Sequence, residues 1–260
     1  MANPTGDELA LLKAIASAPD DDLPRLVFAD WLDEHGRTER AHFIRLQIAE
    51  HRCTAWAGRE QRQVEILGLL QEHGATWFRE LPRWVRLWYA TRWRKPPDYH
   101  RGFVEEVCVT ASHFLRFGEQ LLDRTPVAKL DLCHLRRVRT NLANCPWLGR
   151  VRSLGLVCGK LEEEGAAALA RNRHLDSVRT LDLYGCDLGD AGVRALADAE
   201  SLTGLTALDL GGNGLTLAAV KALRGARFLR TLTELDLSGN PQLLEHQWRI
   251  EDWFGERVRL

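Results

Sequence analysis

Leu205-Thr206-Ala207-Leu208-Asp209-Leu210-Gly211-Gly212-Asn213-Gly214-Leu215 is the stretch that decides the fold of this chain. Its apolar spacing is L-x-x-L-x-L-x-x-N-x-L. The Leu208-Asp209-Leu210 centre recurs as Leu154-Gly155-Leu156, Leu181-Asp182-Leu183 and Leu235-Asp236-Leu237, each step being 27 residues. A unit of this length cannot bury its apolar face alone, so copies must stack. In L-x-L both leucines fall on one face of a short strand, because side chains alternate along it. The Asn, or Cys186 in the copy Val178, Leu181, Leu183, Cys186, Leu188, can bond backbone groups that the bend leaves unpaired. Helical periodicity follows each turn and predicts helices over Glu162–Arg173, Asp190–Ala199 and Leu217–Gly225.

Working outward, one copy reads Leu232, Leu235, Leu237, Asn240 and another Val151, Leu154, Leu156, Gly159, Leu161. Fainter copies are Val127, Leu130, Leu132 and Val104, Val107, Val109. This is the leucine-rich repeat pattern, and its period with helices resembles the ribonuclease-inhibitor type. The resemblance covers residues 101–260. It implies an α/β solenoid of about six short parallel strands with outer helices and a concave face that binds another macromolecule. A helix over Glu245–Phe254 and a last short strand, Val258–Leu260, are expected to close the C-terminal end.

Residues 1–100 lack the repeat and read as a helical module that caps it. Helices are predicted over Glu8–Ser17, from Leu23 to Glu34, over Arg40–Arg52 and over Gln61–His73. The second is expected to be capped by Asp22, with Pro24 in its first turn and a stop at His35-Gly36. Leu23, Val27 and Trp31 line one of its faces, with Leu26 beside them and Phe28 and Leu32 adjoining. Asp33 and Glu34 sit at its unfavourable end, which predicts a tertiary partner such as an arginine. The wording Asp20-Asp21-Asp22-Leu23-Pro24-Arg25-Leu26-Val27-Phe28-Ala29-Asp30-Trp31-Leu32-Asp33-Glu34-His35-Gly36 closely resembles the bacterial repeat-companion domain family. Arg40-Ala41-His42-Phe43-Ile44-Arg45-Leu46-Gln47, Arg101-Gly102-Phe103-Val104 and the closing Phe254–Leu260 extend the match. The resemblance implies a short helical module placed before repeats, and it carries over no catalytic residue.

The chain has 260 residues, 45% hydrophobic and 27% charged, with a formal net charge of −1. These values describe a soluble globular protein with no global field toward nucleic acid or membrane. None of the six cysteines forms a C-x-x-C pair, the N-terminus lacks a basic region followed by an apolar run, and no stretch has membrane-spanning length. A cytoplasmic, reducing setting with free thiols is expected. The acids Asp20, Asp21, Asp22, Asp30, Asp33 and Glu34 lack calcium-loop spacing. No zinc, serine-hydrolase, phosphate-loop or dinucleotide pattern occurs, and Cys133-His134 lacks an orienting third group. The sequence therefore points to no catalytic residue, no metal and no cofactor.

The strand residues between the leucines, Asp131, Gly155, Asp182, Asp209 and Asp236, are expected to face solvent on the concave side about 4.8 Å apart. They read either as a docking strip for a basic protein or peptide, or as a solvated filler of L-D-L strands. Tyr184 is the large aromatic beside them and a candidate contact. A second candidate is the segment 79–101, where Arg79, Arg83, Arg86, Arg92, Arg94, Lys95 and Arg101 interleave with Trp84, Trp88, Tyr89, Trp93 and Tyr99. Trp88 and Arg92 suit a protein interface. The same composition suits nucleic acid, or a cap whose arginines lie over the tryptophans. The expected function is a non-enzymatic scaffold or recognition module. The alternatives are a nucleic-acid adaptor through segment 79–101 and an accessory subunit of a neighbouring enzyme.

Overall fold

The computed structural model of the chain describes residues 5–53, 58–93, 96–156 and 160–260. The sequence readings at Gly159, Arg94, Lys95 and the extreme N-terminus lie outside the described residues. The chain divides into two compact units, one of residues up to Val107 with Glu119–Ala128, the other of Cys108–Gly118 with Lys129–Leu260.

The first unit contains helices α1 (Gly6–Ser17), α2 (Leu23–Glu34), α3 (Thr38–Arg52), α4 (Arg59–Phe78) and α5 (Arg83–Arg92). Leu12, Ile15, Phe28, Leu32, Ile44 and Phe103 are in its core. The expected roles of α2 residues need two corrections. Asp21, not Asp22, accepts the Leu23 N–H, at 2.9 Å. Asp22 faces inward and binds Arg52 Nε at 2.6 Å and Arg101 Nη1 at 3.3 Å. The buried face of α2 is Arg25, Phe28, Ala29 and Leu32, whereas Leu23 and Val27 are 63% and 45% exposed. The cause is Arg25: it is fully buried because Glu105 takes its Nε at 3.1 Å and its Nη2, and the Asp21 carbonyl takes Nη1 at 2.7 Å. At the other end of α2, Asp33 finds the expected arginine, Arg45, at 2.7 Å.

The quoted segments meet in this core. Gly102, at φ +93°, passes so close to α3 that a Cβ there would stand 2.3 Å from Ile44 Cγ1. Its N–H donates to Gln47 Oε1 at 2.7 Å, and Gln47 Nε2 donates to the Tyr99 carbonyl at 3.1 Å. The Arg40 guanidinium is enclosed by the rings of Trp77 (4.7 Å), Tyr99 (5.1 Å), Phe43 (5.6 Å) and Phe103 (5.8 Å). Burial lowers the pKa of Arg40 and pushes the Tyr99 phenol up to about 12, against the pull of the cation.

After the first helices come β1 (Glu106–Thr110), α6 (Ala111–Leu122), β2 (Lys129–Cys133), β3 (Ser153–Gly155), α7 (Glu162–Ala170), β4 (Thr180–Asp182) and α8 (Gly189–Ala197). They are followed by β5 (Ala207–Asp209), α9 (Leu217–Leu223), β6 (Glu234–Asp236), α10 (Gln247–Phe254) and β7 (Val258–Arg259). The strands form one sheet in chain order, parallel from β2 to β7. Among the described residues the sheet has seven strands, not about six, because the expected last strand, Val258–Arg259, pairs with β6 as a member of the sheet. Between β2 and β3 the chain runs in three short 3-10 helices instead of an α-helix, as the fainter pattern there fits.

The register puts Leu130, Leu154, Leu181, Leu208 and Leu235 in one row, each at most 3% exposed. Each buried leucine contributes roughly 1.5–3 kcal/mol before ordering costs. The turn residues lock successive repeats together. Asn213 Oδ1 accepts from Cys186 N (3.0 Å) and Leu188 N (3.2 Å), while its Nδ2 donates to Leu183 O (2.9 Å) and Gly211 O (3.0 Å). Asn240 does the same one repeat later, accepting from Asn213 N (2.9 Å) and Leu215 N (3.0 Å). Cys186, at the equivalent place one repeat earlier, donates through Sγ to Leu156 O at 3.0 Å.

Candidate interaction surfaces

The residues between the core leucines form a second row on the opposite face of the sheet. Its order is Asp131, Gly155, Asp182, Asp209, Asp236 and Arg259. The acids at 182, 209 and 236 are thus direct neighbours, while Gly155 separates Asp131 from them. Each of the three accepts the N–H two residues on: Tyr184 N at 3.0 Å, Gly211 N at 2.8 Å and Ser238 N at 2.8 Å. So one carboxylate oxygen of each acid shapes the bend after its strand. At the end of the row, Arg259 Nη1 lies 3.7 Å from Asp236 Oδ2.

Crowding acts on the middle acid. Partial desolvation, and next the charges of Asp182 and Asp236, hold the Asp209 carboxyl above its ordinary value of 3.8, although the Gly211 N–H and Arg259 oppose them. The folded chain therefore holds this proton more tightly than the unfolded one. Stability from this group is complete below the unfolded value and is lost as pH rises through the folded one. Asp209→Asn keeps an acceptor for Gly211 N–H and removes the charge. It is expected to stabilise the protein by on the order of a few tenths of a kcal/mol at pH 7, since water screens the row, and by nothing at pH 3. Urea unfolding at the two pH values measures this; a loss at pH 7 would contradict like-charge crowding.

Tyr184 is 57% exposed, and its ring covers Gly211, where a Cβ would approach Tyr184 Cδ2 to 2.8 Å. Asp182, Asp209, Asp236 and Tyr184 are therefore brought together. Trp88 and Arg92 belong to the other unit, on α5. Trp88 is half-buried; Arg92 is exposed, with its guanidinium 5.7 Å from the Trp93 ring centre. Part of the basic segment is used internally. Arg101 binds Asp22, the Pro19 carbonyl and Glu105, and Arg86 donates to the Leu81 carbonyl. The acids near α2 are similarly engaged, Asp30 and Asp33 by Arg45.

Two clefts open elsewhere in the repeat unit. One, of about 1330 Å³, has mixed charges, among them Arg171, Arg173, Asp176, Asp198 and Glu200. The other, of about 780 Å³, is lined by Arg224, Arg227, Arg230 and Arg257. The sequence reading passed over these arginines because they fall between the repeat signals. Among the described residues no His, Cys, Asp and Glu group is placed to hold a metal ion, and no helix is long and apolar enough to cross a membrane.

No curated protein matches the chain. The family model described as Leucine Rich repeat matches residues 173–197, 202–223 and 228–241. The first match spans β4 and α8, the second β5 and α9, and the third β6. Residues 173–241 of this chain thus carry leucine-rich repeats, a kind of unit that generally mediates protein–protein interaction.

Proposed function

We propose that this protein is a non-enzymatic recognition module that holds a protein or peptide with basic groups against the concave, solvent-facing side of a repeat solenoid. The observation that carries this reading is the aligned row Asp182, Asp209 and Asp236 beside the exposed Tyr184. Three carboxylates one strand apart give an extended basic segment a regular set of partners, and an exposed tyrosine supplies contact area at low entropic cost. The crowding at Asp209 supports the same reading, because a cation brought to the row relieves it. In this reading the N-terminal helical module, residues 1–100, caps the repeats of residues 101–260. Asp131 belongs to the same row of the sheet, and Trp88 and Arg92 of the other unit are proposed as a separate contact.

The test uses the whole protein as bait at moderate salt, compared with a triple variant Asp182→Asn, Asp209→Asn, Asp236→Asn. Asparagine keeps the turn acceptor, so the fold is retained while the charge goes. Recovery of the partner is expected to fall about tenfold or more, the effect of removing several interfacial charges. Equal recovery by the two baits would move the site off this face. Nucleic acid on the beads in place of protein would favour the basic segment 79–101.

A further inference from the structure

We propose that the cleft lined by Arg224, Arg227, Arg230 and Arg257 is a binding site for a small molecule carrying a diphosphate group. This inference is independent of the acidic row.

Four arginines line this cleft, three from residues 224–230 and one from the segment before β7. Arg224 caps the C-terminal end of α9. Arg227 and Arg230 are the two ends of one 3-10 helix, where residues three apart eclipse and project to the same side. Arg257 ends the 3-10 helix before β7. The repeat does not require them. One period of 27 residues earlier, the places of Arg224, Arg227 and Arg230 are taken by Ala197, Glu200 and Thr203. Helices α8 and α9 both form, so the arginines are an addition to the frame and not a condition of it.

Their charge is left largely uncompensated. Glu200 stands 3.9 Å from Arg227, with both side chains exposed, which makes the pair weak. Among the described residues no carboxylate lies within ion-pair distance of Arg224, Arg230 or Arg257. In a chain of net charge −1, this is a local concentration of positive charge.

Two of the arginines are also held in place. Arg257 Nη1 donates to the carbonyls of Leu229 at 3.2 Å and Leu232 at 3.3 Å, while the guanidinium keeps other N–H groups for a ligand. The Arg224 guanidinium lies 4.4 Å from the Trp253 ring centre. Arginines tethered in this way lose less freedom when a ligand binds. Planar guanidinium forks match phosphate oxygens two at a time, and several forks suit linked phosphates better than one carboxylate.

The test is calorimetric titration of the full chain at low salt with sodium pyrophosphate, orthophosphate and ADP. Pyrophosphate is expected to bind saturably at one site and at least about tenfold tighter than orthophosphate. Arg227→Ala/Arg230→Ala, at two exposed positions, is expected to weaken pyrophosphate about tenfold or more with an unchanged circular dichroism spectrum. Glu200→Gln, which removes the rim acid, should tighten it about two- to threefold. ADP binding as well as pyrophosphate would assign a nucleotide as the source; pyrophosphate binding without ADP would assign an inorganic phosphate chain. Absence of pyrophosphate binding would overturn the proposal, as would equal binding by the double variant. A phosphoserine peptide that binds tighter than pyrophosphate would also overturn it, by making the ligand a protein segment.

Discussion

Arg25→Ala is expected to destabilise the N-terminal unit by about 3–5 kcal/mol, the usual cost of breaking a buried ion pair from one side. Arg25 is 0% exposed and Glu105 6%. The guanidinium makes three hydrogen bonds at once. It takes Glu105 through Nε and Nη2, and it donates to the Asp21 carbonyl through Nη1 at the start of α2. Without it, Glu105 keeps Arg101 at 3.4 Å and is otherwise a desolvated carboxylate beside a new cavity. Arg25→Lys should cost nearly as much, because a single ammonium cannot serve the carboxylate and the carbonyl in one geometry. Arg25→Met with Glu105→Met should recover much of the loss, since two apolar side chains leave no orphan charge. Urea unfolding of the four proteins separates these outcomes. A loss below about 1 kcal/mol for Arg25→Ala would mean that water reaches the pair and replaces the arginine.

This network also shows where a sequence stops being readable. The partner of Arg25 lies 80 residues along the chain. Helical periodicity cannot register it, so the apolar Leu23 and Val27 look like the inner face although they are exposed. The same remoteness explains Asp22, whose neighbours in space are Arg52 and Arg101. Asp33 is the opposite case: its place at an unfavourable helix end is a local fact, and the predicted arginine, Arg45, is there. The repeat strands are legible for a related reason. L-x-L is a local pattern, and a fixed period turns local pattern into register, so Leu181, Leu208 and Leu235 align as their spacing predicts. The last short strand expected at Val258–Leu260 forms over Val258–Arg259, but without a leucine pair its sequence does not say that it joins the sheet beside β6. Of the candidate site, the alignment of Asp182, Asp209 and Asp236 could be read beforehand, but not their bonds to the N–H two residues on. Arg224, Arg227 and Arg230 of the cleft carry a signal only when each is compared with the residue one period earlier.

Asn213→Ala is expected to cost at least about 3 kcal/mol, because a single side chain serves four backbone groups and each one orphaned in the interior costs about 1–3 kcal/mol. Asn213 is 4% exposed, so water cannot take its place on all four. Its Oδ1 holds the N–H groups of Cys186 and Leu188, and its Nδ2 holds the carbonyls of Leu183 and Gly211. Three of these groups belong to the preceding repeat, so the side chain couples neighbours as well as closing its own turn. The chain itself contains the control. Cys186 occupies the equivalent place one repeat earlier and donates to Leu156 O at 3.0 Å and Tyr184 O at 3.7 Å. Asn213→Cys keeps a donor and puts sulfur, a weak acceptor, in place of Oδ1, so it should cost about half as much as alanine. Repeat arrays are stable largely through such nearest-neighbour terms. The alanine variant should accordingly unfold with a shallower dependence on urea, as the repeats on the two sides of the break come apart separately. Amide exchange gives the site-resolved version: the Cys186 and Leu188 N–H groups should lose protection in both variants, since neither alanine nor cysteine matches Oδ1 as an acceptor. Unchanged protection at those two amides would show that the backbone, and not the asparagine, carries the coupling between these repeats.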